Sequence, residues 1–172
     1  DLQAIVTAIG RRNRRHDPGA RLPLARIDLS GANFSVAHLE GAILRYAHLE
    51  GANLNGAHLE RANFNRAHLE GAVLAGAHLE GTTLEGAHLE AANLNGAHLE
   101  GADFSVAHLE RATLYRAHLE GAKLRLSNVT QEQIDGAHGD TETQLPDGLT
   151  RPEGWTAQAD SDVASSEGGS SA

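Results

Sequence analysis

The sequence predicts an all-β solenoid, and three observations lead there. Ala-His-Leu-Glu recurs at 37–40, 47–50, 57–60, 67–70, 77–80, 87–90, 97–100, 107–110 and 117–120, a period of ten residues. Ala-x-Leu or Ala-x-Phe units such as Ala52-Asn53-Leu54 and Ala62-Asn63-Phe64 fill the intervals, so the apolar unit is five residues long. Finally, the chain of 172 residues holds no Cys, no Met, 3% aromatics and 19 Gly, too few large side chains for an ordinary mixed core. A helix turns about 140° between units five residues apart and would scatter the apolar positions around its circumference. A flat strand would keep alternating, whereas here one extra residue in every five interrupts the alternation like a corner. The chain must therefore coil.

The unit of Ala, a polar residue, Leu or Phe and two variable residues resembles the pentapeptide repeat family of bacterial proteins, over about residues 27–130 and through 21 consecutive units. The resemblance implies a right-handed quadrilateral β-helix of about five coils, four units to a coil, with the Ala and Leu/Phe positions inward. The implied core is Phe34, Leu39, Leu44, Leu49, Leu54, Leu59, Phe64, Leu69, Leu74, Leu79, Leu84, Leu89, Leu94, Leu99, Phe104, Leu109, Leu114, Leu119 and Leu124. Each buried Leu contributes roughly 1.5–3 kcal/mol, and Ala lets adjacent walls approach. Ile27, Thr82 and Ser127 depart from the inward Ala.

A solenoid has two open ends, so caps are expected. Residues 1–26 read as an N-terminal capping helix, with Leu2, Ile5, Val6 and Ile9 on one face and Gly10 as its stop, followed by a basic connector with Arg11, Arg12, Arg14 and Arg15. Residues 131–156 read as a C-terminal capping helix and a fold-back segment: Thr130-Gln131-Glu132-Gln133 has capping-box spacing, and Leu145, Pro146, Leu149, Pro152 and Trp155 follow. Residues 157–172, rich in Ser, Gly, Asp and Glu, have nothing to bury and read as a disordered acidic tail.

In a square coil, units ten residues apart occupy opposite walls and units twenty apart stack. His38, His58, His78, His98 and His118 then form one column, and His48, His68, His88 and His108 another. Glu40, Glu60, Glu80, Glu100 and Glu120, with Glu50, Glu70, Glu90 and Glu110 opposite, form parallel columns that are the candidate interaction surface. The column His38, His58, His78, His98 and His118 is the candidate for a metal, but His and Glu two residues apart on a strand start about 7 Å apart, and nothing singles out one site among equivalents. No metal, cofactor or catalytic residue is assigned. Charging the nine His is expected to lower thermal stability modestly below about pH 6.

Net charge is -9, divided as +4 over 1–26, -5 over 27–130 and -8 over 131–172. An acidic body argues against direct nucleic-acid binding. Catalysis needs unlike groups converging in a concavity, which flat walls do not provide. The function expected is a non-catalytic scaffold or protein-interaction module whose partner is another protein, as a monomer or end-to-end dimer. Two alternatives come with the resemblance: imitation of DNA to protect gyrase from quinolones or toxins, and the soluble part of a membrane-attached protein, because the basic first segment resembles those following transmembrane helices in some actinobacterial members. Without a signal peptide or an apolar run of membrane-spanning length, a cytoplasmic location is expected, with any membrane attachment through residues upstream of Asp1.

Overall fold

The computed structural model describes residues 22–156. The expected N-terminal helix, most of the basic connector and the acidic tail lie outside them.

Every coil is built from one repeated step. The inward Leu or Phe opens a tight turn closed by a backbone bond from the Ala three residues on, as in Ala52 N to Leu49 O at 3.0 Å. The third residue of the turn has positive φ, as a type II turn requires. Gly51, Gly71 and Gly81 fill that position at φ 63–64°, and Arg61, Val36, Tyr46 and Ala91 occupy it at 50–59°. A Cβ added at Gly51 or Gly71 would meet nothing within 4 Å, so Gly is favoured there by backbone conformation and not by space.

Between turns a single residue pairs in parallel with the residue twenty positions on: His38 with His58, Ile43 with Asn63, His48 with His68 and Asn53 with Val73. Four units therefore complete one coil, and four one-residue bridges define its walls. Both backbone directions are satisfied across each step, for example Leu49 N to His68 O at 2.7 Å and His68 N to Ala47 O at 2.9 Å.

All of the expected Leu and Phe core positions are buried to 2% exposure or less, as are most of the intervening Ala side chains. Thr82 and Ser127 replace the inward Ala without leaving a bare hydroxyl: Thr82 Oγ1 donates to Leu79 O at 2.8 Å and Ser127 Oγ to Leu124 O at 2.7 Å. Each bonds the carbonyl that already closes its own turn.

Pairing reaches past the repeat at both ends. It starts with Pro23 against Ile43, and after the helix it resumes with His118 against His138 and Lys123 against Gln144. The helix α1, Gln131–Asp135, carries a complete capping box on Thr130 and Gln133 and buries Ile134. Gln133 Nε2 also donates to Leu109 O and Ala112 O, both at 2.8 Å, which ties α1 to the two ends of a single turn one coil earlier.

Beyond α1 the register gains one residue, and side chains replace the lost backbone partners. On inner coils the corner Gly N–H donates to a Glu carbonyl, as Gly101 N to Glu120 O. Gly121 N instead donates to Asp140 Oδ1 at 2.9 Å. The same oxygen accepts from Glu142 N, Thr143 N and Thr143 Oγ1. Burial alone would raise the Asp140 pKa, but these donors outweigh it and hold the carboxyl below its ordinary value. Trp155 then folds onto Gly139, where any Cβ would fall 2.6 Å from the indole, and donates from Nε1 to Ala137 O.

Candidate functional site: two walls of His and Glu

The twenty-residue register stacks the imidazoles face to face. Successive rings along both columns lie 4.6–5.0 Å apart, inclined by 2–12°. The first column extends one step further than the repeat, because His138 stacks on His118 at 5.1 Å with a 34° tilt. The Ala137-His138 pair, twenty residues after Ala117-His118, carried that signal in the sequence but lies beyond the last complete tetrapeptide.

The placement of Glu on the strand beside His is corrected, and the side-chain atoms meet although the two residues start about 7 Å apart. Glu follows the inward Leu as the second residue of the turn, not as the next outward strand position, so its carboxylate folds back along the wall. His38 Nδ1 lies 2.9 Å from Glu40 Oε1, and the distances are 3.0 Å for His48–Glu50 and 3.2 Å for His68–Glu70. The middle pairs His58–Glu60, His78–Glu80, His88–Glu90 and His98–Glu100 sit at 3.4–3.5 Å. His118–Glu120 reaches 3.7 Å. Glu110 is held instead beside Asn128, whose hydrogen bond lowers its pKa.

In eight of the nine His–Glu pairs one carboxylate oxygen thus faces an imidazole. The other is unmatched at six levels: Oε2 of Glu60, Glu70, Glu80, Glu90, Glu100 and Glu120 is shielded from solvent and has no hydrogen-bond partner. A shielded carboxylate oxygen without a donor is costly, and here the cost recurs along the column. His38, Glu40 and His58 bring their ligand atoms within 4.8 Å of one another, as do His48, Glu50 and His68, and His58, Glu60 and His78.

At the upper end of the second column, Asp28 takes the place of His and pairs with His48. The hydrogen bond that His48 donates to Glu50 raises the His48 pKa against the effect of burial, and the charges of Glu50, Asp28 and Glu70 act in the same direction as the bond. For this pair, protonation favours the folded state, opposite in sign to the destabilisation expected from charging the ladder as a whole.

A second cluster, not singled out in the sequence, lies on one corner. Arg26, Tyr46 and Arg66 are twenty residues apart and stack there, with Arg66 Nη1 donating to Tyr46 Oη at 3.0 Å. The guanidinium groups of Arg26, Arg45 and Arg66 stand 5.5–5.8 Å from the ring. The hydrogen bond and charge of Arg66 lower the Tyr46 pKa. Reading corners as well as walls at the twenty-residue spacing would have found it.

The pentapeptide repeat model matches residues 24–61, 52–90 and 92–131. No curated protein matches the chain. Among solved structures, a trypsin-treated form of QnrB1, a plasmid-mediated fluoroquinolone resistance protein, is similar at 21% identity and a TM-score of 0.58, over 71% of this chain and 66% of that one. HetL, a pentapeptide repeat protein involved in heterocyst differentiation regulation in the cyanobacterium Nostoc, is 23% identical over 74% of this chain and 77% of its own, with a TM-score of 0.36. A pentapeptide repeat protein of the Arabidopsis thaliana thylakoid lumen is 23% identical over 77% of this chain and 87% of its own, with a TM-score of 0.39. With matches running through all five coils, the chain belongs to the pentapeptide repeat family, and its fold is the right-handed quadrilateral β-helix.

Proposed function

We propose that this protein is a non-catalytic scaffold that docks another protein along its His and Glu walls. The observation that carries this reading is the in-register repetition of identical side chains at 4.6–5.0 Å over successive coils. Repetition at that spacing offers the same contact many times along a rigid line, which suits an extended partner surface better than a small substrate. Two shallow depressions lie at the C-terminal end, one lined by Arg125, Thr143, Leu145 and Arg151 and another by Arg111, Thr113, Tyr115 and Gln133. No helix among the described residues is long and apolar enough to cross a membrane. A cytoplasmic location remains part of the proposal.

Gyrase protection, the role that similarity to a fluoroquinolone resistance protein invites, fits less well. Five coils span about 24 Å, over which duplex DNA carries about 14 negative charges. The repeat region carries a net -5, with Arg45, Arg61, Arg66, Arg111, Arg116, Lys123 and Arg125 interrupting the acidic columns. The deciding experiment is paired affinity capture from the source cell with the wild-type chain and a Glu60, Glu80, Glu100→Gln variant, alongside a gyrase supercoiling assay. A partner retained by the first and lost by the second supports docking through this wall. Capture that is identical for both removes the wall from the interface, and protection of gyrase would replace this reading with the DNA-imitating one.

A further inference from the structure

We propose that the seam between each His column and its Glu column binds a row of divalent transition-metal ions, with zinc the best-fitting ion, each held by two stacked imidazoles and a carboxylate. Tetrahedral zinc with bonds of about 2.0–2.1 Å holds neighbouring ligand atoms about 3.3 Å apart. The His–Glu separations of 3.4–3.5 Å in the middle coils already match that span. They are longer than a charge-assisted hydrogen bond prefers, about 2.7–2.9 Å. Three-ligand sets with ligand atoms within 4.8 Å recur on both walls: two His with one Glu at His38, Glu40 and His58, at His48, Glu50 and His68 and at His58, Glu60 and His78, and one His with two Glu at Glu70, His88 and Glu90 and at Glu80, His98 and Glu100, where the second imidazole comes from the next ring of the stack. Bringing two imidazole nitrogens together requires rotation of half-exposed rings and no movement of the backbone, which the bridges fix.

The independent observation is the shielded Oε2 of Glu60 through Glu100, an acceptor without a donor at successive levels. A cation bound by the carboxylate neutralises the charge shared by both oxygens, whereas a hydrogen bond from one imidazole serves only the oxygen facing it. Imidazole with carboxylate suits zinc and other late divalent metals, and does not suit magnesium or calcium, which prefer oxygen alone. Ring pairs that share no member are His38–His58, His78–His98 and His118–His138 in one column and His48–His68 and His88–His108 in the other. Neighbouring sets compete for a shared His, so no more than about five ions fill both seams.

Calorimetry of the full chain with zinc at about pH 7.5 tests the assignment, with cobalt(II) as a spectroscopic probe. Expected are more than one zinc equivalent at micromolar affinity, no comparable heat with magnesium, and the intense visible bands of four-coordinate cobalt. Lowering the pH to about 5 should abolish binding as the imidazoles charge. Replacing His48, His68, His88 and His108 with Gln should remove the ions of one wall and leave those of the other, with the melting curve reporting that the coil is intact. A second variant, Glu70 and Glu90→Gln, should weaken zinc on that wall at least about tenfold, because the carboxylate is a ligand. Unchanged stoichiometry in the His variant, unchanged affinity in the Glu variant, equal binding of magnesium or an octahedral cobalt spectrum would each overturn the proposal.

Discussion

The His walls and the Asn-bearing walls share one backbone, one inward Leu column and one twenty-residue register, yet they dispose of their polar groups differently. On the Asn walls the outward side chain closes its own turn: Asn53 Oδ1 accepts from Asn55 N at 3.1 Å, Asn63 Oδ1 from Asn65 N at 3.0 Å and Asn93 Oδ1 from Asn95 N at 3.1 Å. Asp103 does the same for Ser105. These are Asx turns, and they consume the acceptor locally. On the His walls the outward imidazole reaches sideways to a carboxylate, and the second carboxylate oxygen is left over. One pair of walls therefore spends outward acceptors on holding corners, while the other leaves carboxylate oxygens unpaired at six levels, the difference on which the proposed docking and metal readings rest.

The largest effect should come from what the walls share. Leu79→Lys places an ammonium in the apolar column at a site 1% exposed, which costs several kcal/mol, comparable with total stability. The variant should lose its cooperative melt by circular dichroism, and a normal melt would show that the column is not the common support.

The walls should separate at the next level. Asn53→Ala removes an Asx turn bond and should cost about 1 kcal/mol, whereas His78→Ala on the His wall should cost less than about 0.5 kcal/mol. Urea melts of the two variants compare them directly, and equal losses would erase the distinction. Corners give a change of opposite sign: Val36, at φ 50° and 68% exposed, holds a β-branched side chain in left-handed backbone. Val36→Gly should stabilise by about 0.5–1 kcal/mol after the added unfolded-state entropy is offset, and a lower melting temperature would contradict the strain assigned there.

The smallest effect is electrostatic and confined to one pair. The His48 pKa is raised above 6.5, so its contribution to stability is fully present below 6.5 and is lost as pH rises through the folded value. Burial raises the Glu50 pKa, but hydrogen bonds from His48, its own backbone and Ser30 together lower it below 4.5. Its contribution is present above 4.5 and is lost as pH falls through that lowered value. His48→Gln should therefore reduce the melting temperature more at about pH 5.5 than at about pH 8. The reverse order would show that repulsion along the column outweighs the pair.

Much of this architecture was legible: the five-residue period requires a coil, the family resemblance supplies four units to a coil and so the inward Leu positions and the stacked His columns, and capping-box spacing marks the boundary at Thr130. What escaped depends on geometry inside the turn. Treating Glu60 as a strand residue put it too far from His58, although a carboxylate on a corner can fold back. The corners occupied by Arg61, Tyr46 and Val36 look like ordinary variable positions, since only Gly advertises positive φ in a sequence. The coil beyond α1 was hidden because Asp140 and Thr143 replace repeat backbone contacts with side-chain ones, and that substitution has no periodic signature.

The account rests on side chains twenty residues apart meeting while those ten apart face away. The absence of Cys makes this directly measurable. Residues paired across adjacent coils lie about 4.8 Å apart, within the Cα range of a disulfide, about 4.4–6.8 Å. A His78→Cys, His98→Cys variant should form an intramolecular disulfide under mild oxidation, and a His78→Cys, His88→Cys variant should remain reduced as a monomer. Crosslinking of the second pair in place of the first would contradict the four-unit coil on which both walls depend.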